Sequence, residues 1–213
     1  MTDILNAVLV LVLVMNLFAL GTSRLAAVIK LVGFQGALLG IVPLLAHEHP
    51  GLASYLAAAT AVVLKGFVIP AIMMRALRAA DIKREIEPLI GFMPSIILGA
   101  AATAFALVLT GGLTPAAREA TSLIIPASIA TVLVGFILLT TRFKAISQVV
   151  GYLVLENGIF IFGVLLVEAI PLVVEMGVLL DLFVGIFVIS IITNHINQAF
   201  ASLDTRRLDA LKE

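Results

Sequence analysis

Residues 148–167 read QVVGYLVLENGIFIFGVLLV. One ionisable group, Glu156, stands near the middle of this run. A helix needs roughly 20 mostly apolar residues to cross about 30 Å of hydrocarbon. Inside that layer every backbone N–H and C=O must be paired within the protein, which a helix does by itself. The run is therefore read as a transmembrane helix with a carboxyl group at its centre. A charge at that depth costs about 2.5–3.5 kcal/mol on insertion scales, so it needs a partner or a water-filled cavity.

Working outward, six more stretches have the same character: Ile4–Leu20, Leu25–Leu45, Leu52–Met74, Leu89–Thr110, Ser122–Thr140 and Leu172–Thr193. The fold expected is all-α, a polytopic membrane protein of about seven transmembrane helices. Composition agrees. Of 213 residues, 62% are hydrophobic and 12% charged, against about 25% charged in soluble domains. The mean hydropathy is +1.22. Thirteen basic residues balance thirteen acidic ones, which argues against a nucleic-acid partner. There is no cysteine and there are three histidines, so no metal, haem or other cofactor is expected. The N-terminal stretch lacks a basic start and a small-residue cleavage site, and is read as a retained first helix.

Basic residues give an orientation. Arg24, Lys30, Arg75, Arg78, Lys83, Arg84, Arg142, Lys144, Arg206, Arg207 and Lys212 fall on one side of a seven-helix layout, and Arg118 alone on the other. The basic side is expected to be cytoplasmic. The N-terminus is then outside and the C-terminus cytoplasmic.

The chain also resembles itself. Shifted by 118 residues, Thr22, Arg24, Ala27, Gly33 and Gly40 fall on Thr140, Arg142, Ala145, Gly151 and Gly158. With a shift of 116, Lys65 falls on Asp181. We read a parallel repeat of three helices, one linker helix and three helices. Residues 1–88 form the first repeat, 89–121 the linker helix and loop, 122–200 the second repeat, and 201–213 a cytoplasmic tail. Repeats of this kind build a membrane site where their halves face each other.

The chemistry is expected in three mid-helix charges: Glu156, Asp181 and Lys65. Desolvation favours the neutral form of each, so their protonation states respond strongly to one another. A proton relay needs that property. The structural alternative is that Lys65 neutralises Glu156 or Asp181 and pins the packing. Weaker candidates lie around them. Lys30 and Gln148 hold equivalent repeat positions near the basic ends of their helices; Lys30 is expected to snorkel. Glu175 borders an outer turn with Glu168. His195 shares a helix face with Asp181, about four turns away, and reads as an interfacial cap or a proton-passing group. No nucleophile motif or metal cluster is present, so no catalytic residue is assigned.

The stretch Thr141-Arg142-Phe143-Lys144 through Gly151-Tyr152-Leu153-Val154-Leu155-Glu156-Asn157 resembles the small K subunit of respiratory complex I, over roughly residues 122–200. That subunit has a basic turn, then a helix with a buried glutamate, then a helix with a second buried acid where Asp181 falls. Two features depart from its pattern: Asn157 directly follows Glu156, and the second acid is Asp. Over the whole chain, length and layout resemble the hydrogenase-4 component E family, membrane subunits of formate hydrogenlyase and related group 4 nickel–iron hydrogenases. The resemblance implies a non-catalytic membrane-arm subunit in a prokaryotic cytoplasmic (inner) membrane. Its partners would be antiporter-like and other membrane subunits, the lipid bilayer and protons. It further implies that Glu156 and Asp181 belong to a chain of buried charges serving proton translocation. The alternative is a freestanding small-solute transporter with the three-one-three layout of SWEET-type proteins. With no Trp and two Tyr, the chain lacks the aromatic platforms a sugar site wants.

Overall fold

The computed structural model describes residues 2–46, 52–79, 88–112 and 123–166. Among them the structure is helical, with no strand; an isolated bridge pairs Pro88 with Arg142. The helices are α1 (Thr2–Gly21), α2 (Leu25–Ala46), α3 (Leu52–Val63), α4 (Ile69–Ala79), α5 (Phe92–Gly111), α6 (Ile124–Thr141) and α7 (Ala145–Leu166). A π-helical turn, Leu64–Val68, joins α3 to α4. Counting α3 through α4 as one span, six helices are long and apolar enough to cross a membrane. The expected seventh span, Leu172–Thr193, lies outside the described residues.

Glycines decide which helices touch. A Cβ on Gly135 would come within 2.4 Å of the Leu155 nitrogen, and one on Gly151 within 2.5 Å of the Leu139 nitrogen. The α6 and α7 backbones therefore lie against each other, and this is the most extensive helix contact in the fold. Close approach through small residues is how helices associate where lipid offers no hydrophobic drive. On α2, Gly33, Gly36 and Gly40 face Pro70, Lys65 and Val62. That order runs α2 antiparallel to α3–α4. It also shows a difference between halves of the chain. Gly33 and Gly40 pack on the helix that follows α2, whereas their repeat equivalents Gly151 and Gly158 pack on α6, which precedes α7. Local bonding does repeat: the Thr22 hydroxyl donates to Phe18 O at 2.7 Å, and the Thr140 hydroxyl to Phe136 O at 2.8 Å.

Three connections meet at one end. The Leu89 N–H donates to Thr141 O at 2.9 Å. The Arg142 Nη2 donates to Leu20 O, also at 2.9 Å. The antiparallel run of α3–α4 along α2 brings Ala79 to the same end. Among the described cations, Arg24, Lys30, Arg75, Arg78, Arg142 and Lys144 all belong to this half of the bundle, and Lys65 alone stands at mid-depth. α5 begins there at Gly91, whose φ of +77° suits a residue without a Cβ.

Two apolar clusters fill the interior. One, nearer the basic end, includes Leu20, Ile29, Val32, Met73, Leu138 and Val154. The other, nearer the opposite end, includes Leu9, Val12, Leu39, Ala127 and Ile161. On α1, α2, α6 and α7 alike, a buried polar residue stands between the two clusters.

Candidate functional site: a buried polar layer

That layer holds Asn16, Gln35, Thr131, Asn157, Glu156 and Lys65. Its core is an ion pair between the Lys65 ammonium and Glu156 Oε1. Lys65 is 6% exposed and Glu156 2% exposed. Each removes the other's isolated charge from the apolar interior, which neither helix could host alone. The ammonium also lies 4.5 Å from the centre of the Phe160 ring, one turn beyond Glu156 on α7. The ring's negative face attracts a cation.

Backbone irregularity delivers Lys65 to this point. It sits in the π-helical turn, where the Ile69 N–H donates to Leu64 O rather than to Lys65 O. The next residue in line is Pro70, which has no N–H to give. The π ladder therefore cannot extend past Ile69. Single π turns inside α-helices recur at functional sites. Gly36 completes the arrangement: a Cβ there would stand 2.7 Å from Lys65 Cβ, so only glycine lets the lysine stem pass beside α2.

From Asn157 the layer continues as a one-directional hydrogen-bond chain. Asn157 Nδ2 donates to Gln35 Oε1 at 3.3 Å, Gln35 Nε2 to Asn16 Oδ1 at 2.8 Å, and Asn16 Nδ2 to Thr131 Oγ1 at 2.8 Å. Thr131 donates in turn to Ala127 O at 2.7 Å. Four helices, α7, α2, α1 and α6, are tied in register by side chains whose amide orientations agree. Buried polar chains of this kind fix a unique packing when every member is satisfied.

The sequence-derived candidates separate cleanly. Lys65 and Glu156 come together. Lys30 is exposed on α2 and stands outside the layer. Gln148 donates through Nε2 to Arg142 O at 3.0 Å, a loop bond at the basic end. Asp181, Glu168, Glu175 and His195 lie outside the described residues. The sequence reading did not single out Asn16, Gln35 or Thr131, although amides in the middle of apolar helices were the available signal. It also read Arg142 as a basic connection residue and a repeat match to Arg24, and gave it no place in the site. In the structure Arg142 is 1% exposed, donates to the C-terminal end of α1 and lies 5.5 Å from the Phe92 ring. The partial negative charge of a helix C-terminus favours a cation there. Burial pushes this guanidinium below its ordinary pKa. Among the described residues no His/Asp/Glu group could hold a metal ion.

No protein-family model matches the chain, and no solved structure matches it. Among curated proteins it is similar to the uncharacterized protein Rv0085 of Mycobacterium tuberculosis, 33% identical over 191 residues, which cover 89% of this chain and 87% of that protein.

Proposed function

We infer that this chain, which belongs to the same family as the mycobacterial protein Rv0085, is a non-catalytic membrane-arm subunit of a complex I-related hydrogenase. It docks other membrane subunits and contributes buried charge to energy coupling. The observation that carries this reading is the Lys65–Glu156 pair, buried between the two apolar clusters. A carboxylate and an ammonium held together out of water each stabilise the other's charge, and loss of either leaves the survivor uncompensated. Such a pair responds to charge arriving nearby, which is what a membrane arm must transmit. The resemblance of 122–200 to the complex I K subunit supports the same role, with Asp181 as the second acid.

The single basic end supports an orientation with that end in the cytoplasm and the N-terminus outside. The membrane is then the cytoplasmic membrane of a prokaryote. The partners are antiporter-like subunits and a group 4 nickel–iron hydrogenase, in the manner of formate hydrogenlyase.

The test is the company the protein keeps. Native membranes carrying the tagged chain are solubilised gently, and the complex is sized and its subunits identified. Co-purification with antiporter-like and nickel–iron subunits supports the reading. A monomer or small homo-oligomer free of them overturns it in favour of a freestanding solute transporter.

A further inference from the structure

The seam between α2 and α4 has an inner and an outer side. Ile29 and Val32 of α2, with Ile69 and Met73 of α4, face inward to Leu153 and Glu156 of α7. The two backbones meet just outside them. A Cβ on Gly33 would strike Pro70 Cγ at 2.4 Å, and one on Gly66 would come within 2.9 Å of Ala37 Cβ. Continuing round each helix at 3.6 residues per turn, the next stripe faces away from α7. On α2 it carries Lys30 and Phe34, and on α4 Phe67, Met74 and Arg78. Lys30 is exposed, Phe34 is 56% exposed and Phe67 68%, while Met74 and Arg78 are half-buried. Both stripes border one outward groove, and both run in the same order: a cation near the basic end, a phenylalanine deeper in the membrane.

The two cations converge. Gly33 opposite Pro70 and Ala37 opposite Gly66 set a single antiparallel register. It places Lys30 level with Met73, about 8 Å along the axis from Arg78 at 1.5 Å per residue. Side chains on a helix lean towards its N-terminus. α2 starts at the basic end and α4 finishes there, so the Lys30 stem leans towards that end and the Arg78 stem leans back into the bilayer. Among the described residues only Asp3 and Glu156 are acidic. Asp3 is in the first turn of α1, at the opposite end, and Glu156 is paired with Lys65. Neither Lys30 nor Arg78 has an ion-pair partner among the described residues.

We propose that this outer groove binds one anionic phospholipid, its phosphate between Lys30 and Arg78 and an acyl chain against Phe34 and Phe67. The guanidinium offers phosphate oxygens a planar fork, and the ammonium adds a point charge. Basic clefts between transmembrane helices are sites for anionic headgroups. A soluble anion would satisfy the charges and leave the apolar groove empty, whereas a lipid satisfies both. Arg75 is a control of equal charge. It is exposed, and about two and a half turns after Gly66 it projects from the side of α4 opposite α2.

The full-length chain in mild detergent is offered equal amounts of dioleoylphosphatidylglycerol and dioleoylphosphatidylcholine and weighed intact by native mass spectrometry. The expected result is one phosphatidylglycerol held per chain in preference to phosphatidylcholine. K30Q and R78Q should each retain about fivefold less, as loss of one cation predicts. R75Q and the charge-keeping K30R should retain as much as the parent, and excess inorganic phosphate should displace none. Unfolding temperatures without added lipid identify a variant that fails to fold, and either K30Q or R78Q then decides alone. No preference for phosphatidylglycerol overturns the proposal. So does an R75Q loss equal to that of K30Q and R78Q, which would mean diffuse surface charge, and so does displacement by inorganic phosphate. A protein subunit held through Lys30 and Arg78, with no phosphatidylglycerol preference in the purified chain, gives the groove to a partner and overturns it too.

Discussion

The Lys65 ammonium donates to the Glu156 carboxylate across 91 residues of sequence. The two meet because α2 lies between their helices and is notched by glycine where the lysine stem passes. This pair joins the first half of the chain to the second, and its strength is measurable. Removing one partner of a buried pair costs about 3–5 kcal/mol, because the survivor's charge is left uncompensated. K65M and E156Q should each lower thermal stability in detergent sharply. The K65M/E156Q double variant should be more stable than the sum of the singles predicts. Strict additivity in that double-mutant cycle would show that the two groups do not interact.

Gln35 accepts from Asn157 and donates to Asn16, so it is the one link shared by α1, α2 and α7. Gln35→Leu leaves a buried donor on one side and a buried acceptor on the other. A loss of about 1–3 kcal/mol for each unsatisfied group follows, read as a lower unfolding temperature. A variant as stable as the parent would mean that the chain of amides is incidental.

Gly135 and Gly112 make a matched comparison. A Cβ on Gly135 collides with the Leu155 backbone, whereas one on Gly112 meets nothing within 4 Å. Gly135→Ala should destabilise by about 1–3 kcal/mol through overpacking, and Gly112→Ala should stay within about 0.5 kcal/mol of the parent. Similar stability of the two variants would contradict the close α6–α7 approach.

Arg142 tests geometry more than charge. Its guanidinium reaches Leu20 O and lies beside Phe92, which Lys cannot reproduce with a compact ammonium. Arg142→Lys should lower the unfolding temperature, by roughly 1–3 kcal/mol for the lost charged hydrogen bond. The pH sign is set by burial. A cation whose pKa is lowered on folding binds fewer protons in the folded state, so stability rises with pH only between the lowered and ordinary values. In neutral solution Arg142 is charged in both states, and stability there should show no slope that Arg142→Lys removes.

The spans were legible because apolar length is a local property. α1, α2, α5, α6 and α7 fall within a few residues of the stretches read from sequence. α5 begins at Phe92 rather than Leu89, because Leu89 is held by its bond to Thr141. The third span is longer than read and is broken at Leu64–Val68, since a π turn leaves no trace in hydropathy. Lys65 and Glu156 were visible as charges out of place. Their pairing stood in the sequence only as one of two alternatives for Lys65, because helix facing depends on that π turn and on which neighbour each glycine admits. Arg142 looked like a surface cation because its partner, the end of α1, is backbone and carries no sequence signal.

The relay itself is tested by E156Q in the intact native complex. The substitution keeps the shape of the side chain and removes its ability to carry a proton at this site. The expected result is a complex that still assembles, with a lowered unfolding temperature, and continues to turn over hydrogen, with fewer protons translocated for each hydrogen evolved. Proton translocation equal to that of the parent complex would contradict a relay role for Glu156.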